Sequence, residues 1–538
     1  MATVPASPRC RDALPPNPFP LSTVPLSLLD YFVIAAYAGV IAGITWFCGR
    51  QRATTADDYF VAGRSMPGWA VAMAMMAALI SSNTMVGHPA TAYQKGLILL
   101  LGSLTLPAVL FFVAKVIVPF YRRTIRMSAY EYLGRRFGLG GRLYASICFM
   151  ADRLFDVGVT LLTSAVPVAV MTGWPLFNVV AGLAVFTVAY TMLGGMRTIV
   201  WTSVVQGGVF MIAAVLIALR LLLAPECGEP GAVLRAAWEG GRLGLGDFSF
   251  SWASLFDSTH TTQWLLVLAY TVNWGRRYIA DQHMVQRYLI ARSDADAERG
   301  ALWNGLLCVP VWAIFMLIGA SLFGFYQLSG ATPPNVADEV VPHFIVHQLP
   351  AGIVGLMLAA ILAASMSSIS PDLNSIATAF TSDIMGHFLP QLSDRARVRI
   401  GRLAVFVGGG VALLTALLMA PKGEAATIME RAVTVAAILS GGMLGLFFLG
   451  FFTRTATRAG CYAGLAACAV FTAWGTVTAG AEPLIDLGFN FPLNPILIGI
   501  LGHGVVFGVG YGVSRLVGGH VPPDVDQLVY RRAPRPVA

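Results

Sequence analysis

A chain of 538 residues that is 57% hydrophobic and 12% charged, with a mean hydropathy of +0.71, falls outside the range of soluble domains, which carry about 25% charged and 45–50% apolar residues. An integral membrane protein is expected, and the net charge of +8 is read through its distribution along the chain rather than as a sign of nucleic-acid binding. The seven cysteines are scattered without CxxC spacing and lie mostly in apolar runs, so neither a disulfide nor a metal cluster is implied.

Residues 1–28 combine Arg9, Arg11 and several prolines with no apolar core. They read as a disordered extracellular or periplasmic tail and not as a signal peptide. The run 29–47 is long enough to span, at roughly 20 residues per crossing. Further apolar runs lie near 69–94, 97–120, 141–172, 175–193, 198–223, 263–290, 301–327, 352–386, 400–420, 426–453, 459–478 and 494–516, so thirteen spans are expected. With the N-terminus outside, the arginine clusters at 50–64, 122–142, 287–299, 395–402 and 454–458 and the tail 518–538 fall on the cytoplasmic side. Arg9, Arg11, Lys95, Arg235, Arg242 and Lys422 are left outside. That asymmetry obeys the positive-inside rule, and one span more or fewer would scramble it.

A Gly-rich, acidic linker, 224–262, separates five spans (69–223) from five (263–453), with two more at 459–516. Each group of five opens on an interrupted helix. In the first, Ala77–Ile80 runs into Ser81, Ser82, Asn83 and Thr84, then Gly87, His88 and Pro89. In the second, Tyr270 to Gly275 runs into Arg276 and Arg277. Interruptions at matching places in two halves point to a transporter's binding site, where unwound backbone coordinates ions. The plainer alternative is that Gly and Ser let helices pack closely.

The stretch 355–380 is apolar overall yet carries Ser365, Ser367, Ser368, Ser370, Asp372, Asn374 and Ser375. Such groups are costly in hydrocarbon unless satisfied. On a helix, Ala364, Ser367 and Ser368 share one face. Two hydroxyls and a carbonyl facing inward suit a hard cation, read here as sodium. The alternative is that the serines bond their own i−4 carbonyls.

Several motifs, each weak alone, occur in a consistent order. They are Asp58–Arg64 (DYFVAGR), Tyr130–Gly138 (YEYLGRRFG), Gly194–Arg197 running through Val200–Gln206, Asp281-Gln282 with Val285–Arg287, and the serine stretch with Thr381-Ser382-Asp383. On these the chain resembles the sodium:solute symporter family, from about residue 30 to residue 460. Members of that family transport sugars, proline, sialic acid, pantothenate, iodide and monocarboxylates. The resemblance implies an all-α integral membrane protein of about thirteen transmembrane helices. Its core would be an inverted five-plus-five repeat with a discontinuous first helix in each repeat, one flanking helix before it and two after. It also implies a sodium site made by the carbonyls of Ala77, Ile80 and Ala364 and the hydroxyls of Ser367 and Ser368.

Departures from the family pattern bear on stoichiometry and solute. Some members have a further sodium site using an Asp where this chain has Ser203 and a Ser where it has Ala364, so one sodium per cycle is expected. Sugar carriers present a Glu and a Gln where Ser103 and Thr84 stand, which disfavours a hexose. Proline carriers have an Asp where Leu79 stands, which leaves proline unsupported.

Ionisable residues inside spans are functional candidates. Arg153, between Asp152 and Asp156, either pairs within its helix or grips a carboxylate, as the sialic-acid carriers of this family use an Arg near this place. Of Arg276 and Arg277, one is expected to pair with Asp281 and leave the other for an anion. The full set expected to meet solute is Asn83, Thr84, Ser103, Arg153, Trp274, Arg276, Arg277 and Gln282. Trp274, Tyr270 and Tyr93 either close over it or belong to an interfacial belt. Glu430 and Arg431 are read as gate or surface.

The expected function is a sodium-coupled symporter carrying a small carboxylate or amino-acid-like solute inward across a bacterial inner membrane by alternating access. A monomer is expected to suffice, with sodium, solute and lipid as its only partners. The alternatives are a transporter-like sensor, for which no kinase follows residue 516, and a proton-coupled or passive permease. No nucleophile–base pair, metal cluster or phosphate loop suggests an enzyme.

Overall fold

The computed structural model of the protein describes residues 26–50, 55–249, 252–257, 261–420, 442–480 and 483–530. Among these, all regular structure is helical apart from one isolated parallel bridge, Met66 to Ala291. Nine helices are long and apolar enough to cross a membrane, and a tenth span is a pair, Gly68–Leu79 and Ser82–Lys95, bent by 72°. In a bilayer only structures that satisfy their own backbone can span, and the hydropathy pattern has translated directly into helices.

The expected spans find helices in order, with three differences. The fifth and sixth are two limbs of one helical stretch, Leu176–Leu222, joined at Gly195 (φ 59, ψ −164). A Cβ there would lie 2.8 Å from the Tyr59 carbonyl oxygen, so both the conformation and the close approach demand glycine. The seventh span breaks later than expected. Gln263–Ile279 is helical straight through Asn273, Trp274 and Gly275, and the chain leaves the helix only at Ala280 and Asp281. Asp281 then caps Gln282–Leu289 by accepting from the His283 N–H at 3.0 Å. Gly275 is buried against Leu444, which is a packing role, so the helix had no reason to open there. The eleventh span is described only from Met443, as helix Met443–Phe452; Glu430 and Arg431 lie outside the described residues, as does most of the 1–28 tail. The six described cysteines are free thiols.

The helix Ile353–Ala379 is the axis of the molecule. Its apolar window is 83% buried inside the protein, against 22% for the first helix, Leu28–Arg50. It packs on Gly68–Leu79, Leu139–Thr172, Leu176–Leu222, Asp394–Met419 and the first helix. Its start is held by Asp30, whose Oδ1 accepts from the Gly352 and Gly355 N–H groups at 2.7 Å each. These donors have no partner within the helix, and the carboxylate also complements its N-terminal dipole.

At the arginine-rich end, the short helix Ala129–Phe137 gathers several of the sequence motifs. Gln282 accepts from the Ala129 N–H at 2.7 Å and donates to the Met127 carbonyl at 2.6 Å. Ser128 donates to Asp383 at 2.6 Å, and Arg142 donates to the same carboxylate at 2.9 Å. The C-terminal segment packs beneath this helix: Tyr132 donates to the Leu528 carbonyl and Arg135 pairs with Asp524.

Candidate functional site

The first interruption leaves backbone carbonyls exposed in the middle of the molecule. Gly68–Leu79 ends at Ile80 (φ −85, ψ 103) and Ser81 (φ −103, ψ 178), both extended, so the carbonyls just before them lose their i+4 donors. The polar run Ser81–Thr84 explains why the helix stops there, because such side chains compete with the helical ladder. The axial helix approaches this end. Ser367 Oγ donates to the Ala77 carbonyl at 2.7 Å and lies 3.0 Å from the Ala364 carbonyl. Ser368 Oγ lies 3.2 Å from the Ala78 carbonyl and 3.3 Å from that of Ala364.

Bonding of the serines to their own helix is therefore present, but it does not account for the contacts across to Ala77 and Ala78. Ala77, Ala364, Ser367 and Ser368 are thus brought together, with the Ala78 carbonyl as an addition not foreseen in the sequence. No hydrogen bond among the described residues joins the Ile80 carbonyl to this group; its N–H donates to the Met76 carbonyl. Pro371 removes the donor that the Ser367 carbonyl would otherwise have. A cluster of neutral oxygens with carbonyls lacking helical partners fits a hard cation better than it fits a packing contact.

Beside this cluster lies a cavity of about 320 Å³. Asn83, Thr84, Ser103, Trp274 and Arg277 of the expected set line it, and so does Ser368. Arg153, Arg276 and Gln282 do not. Arg153 is enclosed by carboxylates: Nη2 lies 2.7 Å from Asp152, Nη1 lies 2.7 Å from Asp156, and Asp281 and Asp372 each stand 3.9 Å away. Only 4% of its side chain is exposed, and the intrahelical pairing has claimed it. Arg276 turns to Asp152 at 3.6 Å and lines a separate crevice with Cys148 and Met443. Asp281 thus faces Arg153 and caps a helix, and pairs with neither Arg276 nor Arg277. Gln282 is occupied at the arginine-rich end.

Arg277 is half-buried in the cavity wall and makes no hydrogen bond or ion pair among the described residues. Asp156 and Asp372 line the same cavity but neither bonds the guanidinium directly, so its donors stay free for a ligand. Asp372 bonds His283 of the Gln282–Leu289 helix, so it ties the axial helix to that element, whereas the Asn374 side chain has no hydrogen-bond partner among the described residues. Trp274 stacks on Trp312 with centroids 5.4 Å apart, and Tyr270 meets Trp274 edge-on at 5.8 Å. Tyr93 packs on Phe323 and Tyr326, away from the cavity.

The cavity also includes Asp156, Thr160, Thr163, Asn273 and His88, which were not singled out as solute contacts. Residues 156, 160 and 163 follow i, i+4, i+7 spacing, a polar stripe on an otherwise apolar span. That helical period was legible, and it marks a face turned away from lipid.

With this geometry in hand, the comparisons are consistent. The profile of the sodium:solute symporter family matches residues 59–467. The chain is 33% identical over 512 residues to the sodium/sialic acid symporter NanT of Aliivibrio fischeri, covering 93% of this chain and 96% of that one. It is 30% identical to the sodium/sialic acid symporter SiaT of Proteus mirabilis, covering 81% and 87%, and 26% identical to human sodium-coupled monocarboxylate transporter 1, covering 84% and 74%. Among solved structures, a substrate-bound, outward-open Na+-coupled sialic acid symporter superposes with a TM-score of 0.81 at 27% identity, over 91% of this chain and 98% of that one. The nucleobase-cation symporter Mhp1 shares the fold alone, with a TM-score of 0.55 at 16% identity over 85% and 94%. The architecture is the inverted five-plus-five helix fold of these carriers. The chain therefore belongs to the sodium:solute symporter family, and it is a multi-pass membrane protein that couples sodium to the movement of a small organic solute.

Proposed function

We propose that the protein imports a small sugar acid of the sialic-acid class, one sodium ion accompanying each molecule. The observation that carries this reading is the Arg277 guanidinium, which makes no hydrogen bond or ion pair among the described residues, in a cavity rich in hydroxyls and amides that also holds Asp156 and Asp372. Its planar fork suits bidentate binding of a carboxylate, while Asn83, Thr84, Ser103, Thr160, Thr163 and Asn273 offer the hydrogen bonds that a polyhydroxylated body needs. The printed activities of the NanT and SiaT relatives favour the same class. An unadorned hexose would leave the arginine's fork without a carboxylate bound to it.

The sodium ion sits between Ala77, Ile80, Ala364, Ser367 and Ser368. Its binding turns the serine hydroxyl protons outward and replaces the direct contacts between the axial helix and the broken span. That fixes the 72° bend and the orientation of Asn83 and Thr84 immediately beyond it. Solute and ion are coupled because Ser368 borders both the ion cluster and the cavity. Release follows when the broken span moves off the axial helix at the other face. One sodium ion entering supplies about 2.3 kcal/mol per 100 mV of membrane potential. The arginine-rich end faces the cytoplasm and the N-terminus lies outside, by the charge asymmetry of the loops, in a bacterial inner membrane. The division into repeats at 69–223 and 263–453, with the flanking helix 29–47 and the pair 459–516, follows the two interrupted spans.

The test is a thermal-shift screen of the purified full-length chain against N-acetylneuraminate, glucose, proline and lactate, each with sodium or potassium. A stabilisation that needs both sodium and N-acetylneuraminate is expected. Stabilisation by lactate or proline alone would move the solute class, and an equal shift in potassium would remove the coupling ion.

A further inference from the structure

A second cavity, of about 1090 Å³, lies on the flank of the molecule between the first helix, Leu28–Arg50, the first limb of Leu176–Leu222, and the start of Asp394–Met419. It is far larger than the solute cavity and shares no residue with it. Its composition is divided. Arg50, Arg395, Arg399 and Arg402 stand at one end, and Ala42, Trp46, Phe186, Ala189, Leu193 and Val398 line the rest.

The three helix ends that meet here are the end of the first helix, the end of the Leu176 limb before its turn, and the beginning of Asp394–Met419. They belong to a single face of the molecule. The arginines are available. Arg395 and Arg399 are exposed and make no hydrogen bond or ion pair among the described residues, and Arg50 lies over the Trp46 ring with its Cζ 3.7 Å from the centroid. Arg402 leans over Tyr59 at 5.7 Å. Asp394 precedes the cluster on the same helix, and Asp57 and Asp58 belong to the neighbouring Ala56–Val61 helix. No ion pair joins Asp394 or Asp57 to the four arginines among the described residues.

The apolar part opens toward lipid. Trp46, on a first helix mostly uncovered by protein, and Leu193, on the Leu176–Leu222 stretch, are 62% and 65% exposed. A soluble anion has use for the arginines but not for an adjoining apolar trough, and a neutral lipid has use for the trough but not for the arginines. Only a ligand with an anionic head and acyl chains matches both halves.

We propose that this cavity is a binding site for one anionic phospholipid, with its phosphate on Arg50, Arg395 and Arg399 and an acyl chain along Trp46, Phe186 and Leu193. The lipid joins the first helix to Asp394–Met419. Through Arg402 it also borders Tyr59, whose hydroxyl donates to the Met192 carbonyl at 3.2 Å, beside the Gly195 turn.

The test uses the full-length protein in a neutral detergent, melted in the presence of dioctanoyl phosphatidylglycerol, dioctanoyl phosphatidylcholine or inorganic phosphate. The expected result is a saturable rise in Tm with phosphatidylglycerol only. That rise is lost in the Arg395→Gln/Arg399→Gln double variant. It is also reduced in Ala189→Trp, which fills the trough and keeps every charge, so the second variant decides if the first fails to fold. An equal rise with inorganic phosphate would make this a free-anion site, and an equal rise with phosphatidylcholine would make it an unspecific apolar groove. A phosphatidylglycerol effect that survives in both variants would place the lipid elsewhere. Each of these three outcomes overturns the proposal.

Discussion

The two interrupted spans look alike as sequences and behave differently as structures. Gly68–Leu79 opens at Ile80 and Ser81, beside the axial helix, and so presents main-chain oxygens to the middle of the protein. Gln263–Ile279 stays helical past the cavity and opens only at Ala280, where Asp281 caps the next helix. The first contributes backbone, and the second contributes side chains (Asn273, Trp274 and Arg277) from an intact helix. The difference is chemical. A run of Ser, Ser, Asn and Thr competes with the helical ladder, whereas an isolated Gly275 packed against Leu444 simply lets a neighbour in. An ion needs stripped carbonyls, and a charged solute group needs a rigidly held fork.

This contrast can be broken most sharply at the ion cluster. Ser367→Ala combined with Ser368→Ala removes both side-chain oxygens while leaving the helix sequence otherwise intact. Sodium-driven uptake in proteoliposomes should disappear, with the melting curve in potassium unchanged. Uptake that persists in a sodium gradient would detach the serines from coupling.

The arginines come next, and they should separate cleanly. Arg153→Gln strips a buried cation from Asp152 and Asp156, and breaking such a pair costs about 3–5 kcal/mol. The loss should be read in Tm and in yield. Arg277→Gln removes no existing partner, so folding should survive. Its apparent substrate constant should rise roughly ten- to a hundredfold, since a hydrogen bond to a charged group contributes about 1.5–3 kcal/mol, while the sodium constant changes far less. If both variants lost stability equally and neither changed the substrate constant, Arg277 would be structural.

The smallest effect is expected at Gly275→Ala. A Cβ there meets Leu444 Cδ2 at 3.4 Å, which a leucine tip tolerates, and alanine favours a helix interior by about 1 kcal/mol over glycine. Transport and Tm should both stay near wild type. A severe transport defect with intact folding would show that the seventh span hinges at Gly275, and the contrast between the two interruptions would fail.

Much of the fold was legible because lipid leaves a chain few choices. Apolar runs of the right length become helices, and the arginine asymmetry keeps their count honest. The first interruption was legible for a local reason, a cluster of four polar residues within an apolar span. The break in the second half was misplaced because glycine in a span has two uses, opening a helix or admitting a neighbour. Residues five positions apart in sequence do not reveal whether a leucine from a distant helix fills the gap. The stripe Asp156, Thr160 and Thr163 is written in the sequence at helical spacing, but Arg153 beside it offers Asp156 an intrahelical partner, so spacing alone does not mark the stripe as a cavity wall.

What the sequence determined by itself was therefore the class of molecule, the order of its spans and the polar face of the axial helix, all of which follow from local hydropathy and helical period. Only the tertiary structure decided which arginine is free. Arg153, Arg276 and Arg277 are equally ionisable and similarly placed in apolar runs, and i, i+3 spacing permits a pair without requiring it. The choice was made by neighbours brought from elsewhere in the chain. Asp281 and Asp372 converge on Arg153, while Arg277 lines the cavity with hydroxyls, amides and the carboxylates of Asp156 and Asp372, and is bonded by none of them. Electrostatic pairing depends on distance in space, and only folding sets that distance.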